Sequence, residues 1–130
     1  MTRKLLSCVS LILLVACSQS AIHEQALVEI RDFHEHFNKR EFPAMYDALD
    51  AEGRKNITLE QFVKGMTAMR ERQGAIVESK ELSTDYYYAV GVSKIRIIVS
   101  VTYEKGTAGE EFVFSRPNGK IGLSGYRFLG

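Results

Sequence analysis

The chain has 130 residues, 45% of them apolar, which is enough for one domain of ordinary size around a single core. Basic and acidic side chains nearly balance, 17 against 16. Without a basic field, nucleic acid is not an expected partner. There is no internal repeat and no low-complexity block, and the two prolines, Pro43 and Pro117, each stand beside a turn.

Thr2-Arg3-Lys4 is a short positive start, followed by an uncharged core of 11 residues at 5–15. A membrane-spanning helix needs about 20 apolar residues, whereas a core of this length is that of a secretory signal. Leu14-Val15-Ala16-Cys17 resembles the bacterial lipobox, in which a branched apolar, a small or apolar and a small residue precede a cysteine. The resemblance implies that residues 1–16 are removed as a signal peptide and that Cys17 receives lipid, palmitate included. Residues 17–21 would then be the lipidated N-terminus and a short tether, and 22–130 the domain. The protein would sit in the bacterial cell envelope, anchored to membrane lipid through acylated Cys17. Ser18 stands where an Asp commonly retains lipoproteins in the inner membrane, so the expected location is the outer membrane, facing the periplasm. From Cys17 onward there are 15 basic and 16 acidic residues. With Cys8 discarded and Cys17 acylated, no disulfide is available and stability must come from packing.

Ile22, Ala26, Ile30, Phe33 and Phe37 are spaced as one helical stripe, ended by Asn38-Lys39-Arg40. A shorter helix follows, with Pro43 in its first turn and Phe42, Met45, Tyr46 and Leu49 on one side. Residues 51–56 read as a polar loop. Thr58 and Gln61 predict a capping box for a third helix, with Ile57 and Phe62 as its hydrophobic staple and Gly74 as its stop. From Ala75 the period changes to two. Residues 76–82 predict one strand and 86–90 another strand or extended connection, separated by a turn-like Ser83-Thr84-Asp85. Ile95, Ile97, Val99, Val101 and Tyr103 alternate with Arg96, Ile98, Ser100, Thr102 and Glu104 and predict the strongest strand. Residues 105–109 read as a loose hairpin loop, 110–116 as a strand, Asn118-Gly119 as a type I′ turn, and 121–128 as the closing strand.

Helices followed by an antiparallel meander predict an α+β fold, with three N-terminal helices on a curved four- to five-stranded sheet. This order resembles the cystatin-like superfold typified by nuclear transport factor two and ketosteroid isomerase. Ile57-Thr58-Leu59-Glu60-Gln61-Phe62, the stretch 72–82, Glu110-Glu111-Phe112-Val113-Phe114 with Asn118-Gly119-Lys120, and Gly125-Tyr126-Arg127 resemble an uncharacterised family of bacterial lipoproteins and secreted proteins over most of residues 25–128. Members often carry an aromatic residue in the last strand where this chain has Ile121 or Leu123. The resemblance implies the fold and brings no known activity.

Few constellations carry chemistry. His23-Glu24 lacks the second histidine of a zinc-protease helix, and His34 and His36, two apart, point to different sides of a helix. All three histidines read as surface residues, and neither a metal nor a cofactor is expected. Asp32, Asp47 and Asp85, with Tyr46, Tyr88, Tyr103 and Tyr126, are the candidates for a carboxylate base and tyrosine of the ketosteroid isomerase kind. None of the three aspartates is bracketed by apolar residues as a base with a raised pKa would be. No G-x-S-x-G occurs, and Ser124 has no base near it in sequence. The run Tyr86-Tyr87-Tyr88 reads either as a half-buried strand or as an aromatic patch for a partner protein or peptidoglycan. The reading is therefore a non-catalytic envelope lipoprotein that binds a protein or small apolar ligand. An enzyme using the cone of a cystatin-like fold and a structural homodimer are the alternatives. A buried carboxylate facing a tyrosine in a closed pocket would mark the enzyme, and an open apolar sheet face the dimer or partner.

Overall fold

A computed structural model of the chain describes residues 3–117 and 119–130, with side chains from Gln19 onward. The expectations for the Cys17 side chain and for the Asn118-Gly119 turn lie outside these residues. Helix α1 spans Arg3–Asn38, α2 Phe42–Asp47, α3 Ala51–Arg54 and α4 Leu59–Gln73. Strands β1 Ile76–Ala89, β2 Val92–Tyr103, β3 Gly106–Ser115 and β4 Gly122–Phe128 follow. They form one antiparallel sheet in the order β1-β2-β3-β4, a plain meander with β1 and β4 at its edges. The class is α+β. Among the described residues no helix is long and apolar enough to cross a membrane.

Helices α1, α2 and α4 bury the stripes their sequences mark, with Ile22 and Tyr46 only partly covered. Ala26, Ile30, Phe33 and Phe37 of α1, Phe42 and Met45 of α2, Leu49 just beyond it, and Phe62, Met66 and Met69 of α4 are buried together. The backbone of residues 18–21, read from the sequence as a tether, is helical and continuous with α1. It contains neither Gly nor Pro, so nothing in it breaks the backbone pattern. Asn38 closes α1 by clamping the start of β1. Its Nδ2 donates to the Ile76 carbonyl at 3.0 Å, and its Oδ1 accepts from the Ile76 N–H at 2.7 Å. The capping box forms as predicted: Thr58 Oγ1 accepts from Gln61 N–H at 3.2 Å, and Gln61 Oε1 accepts from Thr58 N–H at 3.0 Å.

A fourth helix replaces the polar loop expected at 51–56. Asp50 caps α3 by accepting from the Gly53 N–H at 2.9 Å, while its own N–H donates to the Leu123 carbonyl of β4 at 2.8 Å. A Cβ on Gly53 would lie 2.8 Å from that same carbonyl oxygen, so glycine is what lets α3 approach the strand.

The sheet also corrects the expected strands. Residues 76–82 and 86–89 belong to one 14-residue strand, and Ser83, Thr84 and Asp85 pair in register with Ile98, Ile97 and Arg96, while Val90 falls in the turn. Two irregularities, between Ile76 and Glu78 and between Glu81 and Ser83, leave Val77 and Leu82 without cross-strand partners. Both are exposed, as expected where a bulge bends an edge strand. The reversal comes later, at Val90-Gly91, where both residues have positive φ (52° and 73°). The loop expected at 105–109 shrinks to a tight turn, and β3 starts at Gly106. Ile95, Ile97, Val99, Val101 and Tyr103 of β2, Ala108, Phe112 and Phe114 of β3, and Leu123 of β4 face the helices and complete the core. Phe33 meets the Phe112 ring edge-on at 5.3 Å, and Phe37 meets Tyr103 at 6.1 Å. The opposite face of the sheet is mixed: Arg96 pairs across from Val113 and Ile98 from Glu111, and Glu111 is bridged to Arg127 at 3.2 Å.

Candidate functional site

Two places bring polar or aromatic groups together. The first lies inside the core. Glu110 alternates with Phe112 and Phe114 along β3, so its side chain enters the same face and is only 1% exposed. A carboxylate there needs partners, because burying an unpaired charge costs far more than a neutral group. Tyr103 of β2 donates its hydroxyl to Glu110 Oε1 in a short hydrogen bond. His34 of α1 places Nε2 at 3.2 Å from Glu110 Oε2. With Glu110 ionised, that ring nitrogen carries the proton. Burial pushes the Tyr103 phenol well above its ordinary range, and the Glu110 charge and hydrogen bond add to this. Burial likewise raises Tyr126, with help from Glu110 and Tyr103, while the Tyr126 hydroxyl points to the Met69 sulfur at 3.9 Å.

This cluster overturns the reading of His34 as a surface residue. His34 is 8% exposed and also packs edge-on against Phe112 at 5.7 Å. The carboxylate itself is enclosed by rings. Only His34 reaches a groove, a cleft of about 500 Å³ between α1 and β1 that Arg31, Glu78 and Glu81 also line. A small molecule in that cleft would meet the imidazole and not Glu110. The sequence had named Tyr103 and Tyr126 but not Glu110, although the alternation Glu110, Phe112, Phe114 carried the signal.

The second place is the Tyr86-Tyr87-Tyr88 run. Tyr86 pairs across from Ile95 and Tyr88 from Ser93, so both lie on the helix-facing side of the sheet, with Tyr87 opposite. The helices do not cover this end. Tyr86 is 47% and Tyr88 74% exposed, while Tyr87 is half-buried under the Arg96 guanidinium, 5.6 Å from the ring centre. The half-buried-strand reading of the run therefore fits Tyr87 alone. The run contributes to a cavity of about 280 Å³ whose apolar wall includes Ile22, Ile95, Phe114 and Ile121, with Gln19 at its edge. Its polar floor is Lys94, which donates to Glu52 at 3.0 Å and to Ser115 Oγ at 3.1 Å, and Ser115 shares a short hydrogen bond with Ser124. Ser124 is thus a buried partner of another serine. The floor is already neutralised internally, so the cavity suits an apolar guest with a hydrogen-bonding end better than a free anion.

The remaining candidates are scattered. Asp32 and Asp47 are exposed on α1 and α2, and Asp85 is exposed on β1, bridged to Arg96 at 3.3 Å. Tyr46 donates to the Ile57 carbonyl at 2.9 Å and so serves the α2–α4 junction. His23 contacts Glu81 at 2.7 Å and His36 lies 3.8 Å from Glu41. Among the described residues no group of three or more His, Cys, Asp or Glu side chains could hold a metal ion. No family model matches the chain, and no curated protein sequence matches it.

Proposed function

We propose that this protein is an envelope lipoprotein, anchored through acylated Cys17, whose single domain is a non-catalytic binding module. The observation that supports the binding reading is the cavity at Tyr86 and Tyr88. It is apolar, open, walled by aromatic rings and edged by Gln19, two residues from the anchor cysteine. Exposed tyrosines of this kind combine a rigid apolar body with a polar tip, the composition of binding surfaces. The helix-then-meander order is consistent with the cystatin-like fold, where the equivalent space between sheet and helices commonly takes a guest. Peptidoglycan, an envelope protein or a second copy of the chain are the other partners this reading admits.

The test is crosslinking in intact envelopes with the full lipoprotein. Tyr88→Ala should leave the thermal transition nearly unchanged, within about 0.5 kcal/mol, because the ring is largely exposed. It should still weaken capture at this cavity. Unchanged crosslinking by both Tyr86→Ala and Tyr88→Ala would remove the cavity from the proposal.

A second reading, an enzyme, is favoured by one observation, the buried Glu110 facing Tyr103 with His34 at the groove. That pair is sealed by side chains and not set in a pocket, so the binding module remains the reading we put forward.

A further inference from the structure

Val90 is fully exposed at the apex of the β1–β2 hairpin, with a left-handed backbone at φ 52°. A β-branched residue is the costliest choice there. Asn or Asp would fit the same turn with little strain and would be better solvated. A fully exposed apolar side chain on a backbone of this kind points to a use outside the fold. Two residues away stands Tyr88, 74% exposed, and then Tyr86. Their cavity is edged by Gln19, itself two residues after Cys17. Two residues span at most roughly 7 Å of chain. The attachment point of the lipid and the apolar apex are therefore both within a short reach of one cavity.

We propose that this end of the sheet, the Val90 apex with Tyr86 and Tyr88, is a membrane-docking surface that seats in the headgroup and upper acyl region of the bilayer carrying the Cys17 lipid. The proposal rests on the lipoprotein reading and names the bilayer as the partner of the same site. Tyrosine is enriched at membrane–water interfaces, where its ring sits at headgroup depth. An apolar apex flanked by such rings is the arrangement that interfacial attachment uses. The charged groups near the rings suit that depth too: Arg116 lines the cavity, and Lys94 and Arg96 follow on β2. The last two are already bridged to Glu52 and Asp85, so the contact would rest on apolar burial more than on anionic lipid. The anchor would hold the hairpin at the surface, and the hairpin would fix the orientation of the domain.

The chain contains no tryptophan, so a single Trp reports its own site. Full lipoprotein carrying Val90→Trp, Tyr88→Trp or Lys105→Trp would be purified and its lipid confirmed by mass. It would then be reconstituted into vesicles of phosphatidylethanolamine and phosphatidylglycerol with brominated acyl chains. Lys105 lies in the β2–β3 turn, at the opposite end of the sheet, and serves as the control. The expected result is that Trp at 90 and at 88 each loses about half of its emission to the bromines while Trp at 105 loses none. If the lipidated protein shows Trp at 90 and 88 as unquenched as at 105, the docking surface is wrong and the anchored module stands. Emission shifted to the blue without bromine quenching would mean that protein covers the apex, which also overturns the proposal. A Cys17 without lipid would overturn both this inference and the lipoprotein reading.

Discussion

Tyr103 does two jobs with one hydroxyl. Its ring fills the core beside Phe37 and Phe128, and its O–H satisfies a carboxylate that has no access to water. Tyr103→Phe keeps the ring and removes the donor, so the loss isolates the hydrogen bond. A bond to a charged group contributes about 1.5–3 kcal/mol, and chemical denaturation of the variant at neutral pH should show a loss in that range. The same variant tests the raised phenol. Below about pH 10 folded and unfolded chains both keep the Tyr103 proton, and its contribution is whole. Above that, the unfolded chain ionises first while the folded one holds its proton, so stability falls as pH rises towards the folded pKa. Tyr103→Phe should therefore be less stable at neutral pH yet lose stability less steeply above pH 10. Tyr126, also raised, should keep a residual slope in the variant. A variant whose alkaline fall matches that of the parent would mean that Tyr103 is ionised in the folded state as readily as in water.

At the scale of elements, the ends of helices and strands carry the fold. The α4 capping box satisfies two backbone donors that would otherwise have no intrahelical partner. Thr58→Ala removes one of these acceptors at an exposed position and should destabilise the domain by about 1 kcal/mol. A Thr58→Ser variant should restore nearly all of it, since Ser caps as well as Thr. Equal melting of all three proteins would show that water caps α4 without cost. The Asn38 clamp on Ile76 makes a similar junction between α1 and β1. It fixes the strand start beside the helix end, so the long edge strand departs in one direction and carries its tyrosines to the far end of the sheet. Bulges at Val77 and Leu82 break the regularity of that edge, which hinders pairing with another chain along its whole length.

The whole molecule is a helix layer on one face of a four-stranded meander, with its uncovered corner at the N-terminal end of the domain. If the lipobox reading is right, Cys17→Ala should abolish palmitate labelling and block normal processing in cells. Continued palmitate uptake by that variant would end the lipoprotein reading. The polarity of the assembly matters for such a protein. On that reading the cavity edged by Gln19 lies two residues from the anchor, whereas the turn at Lys105 is held at the other end of β2 against the last turn of α4, its N–H donating to the Gln73 carbonyl and its Nζ to the Glu71 carbonyl, each at 3.0 Å.

Local chemistry determined much of this in advance. The stripe from Ile22 to Phe37, the Thr58–Gln61 box, the alternation of β2 and the helices-before-sheet order are all encoded by spacings of three, four and two residues, which are set by backbone geometry and need no tertiary context. The resemblance of Leu14-Val15-Ala16-Cys17 to a lipobox is likewise carried by linear sequence alone. Other features depend on partners far along the chain. Asp50 and Gly53 make α3 because β4 offers the Leu123 carbonyl within reach. Ser83-Thr84-Asp85, which has turn composition, stays extended because β2 holds it in register. Most of all, the site residues were legible only in part. Tyr103 and Tyr126 could be named as candidates, and the alternation with Phe112 and Phe114 marked the face that Glu110 shares. That a histidine 76 residues away would meet that carboxylate, and that Tyr86 and Tyr88 would face the helix side yet stay exposed across a cavity from Gln19 and Ile22, was decided by how α1 packs against the sheet. A period tells which face a side chain takes; only packing tells whether anything covers it.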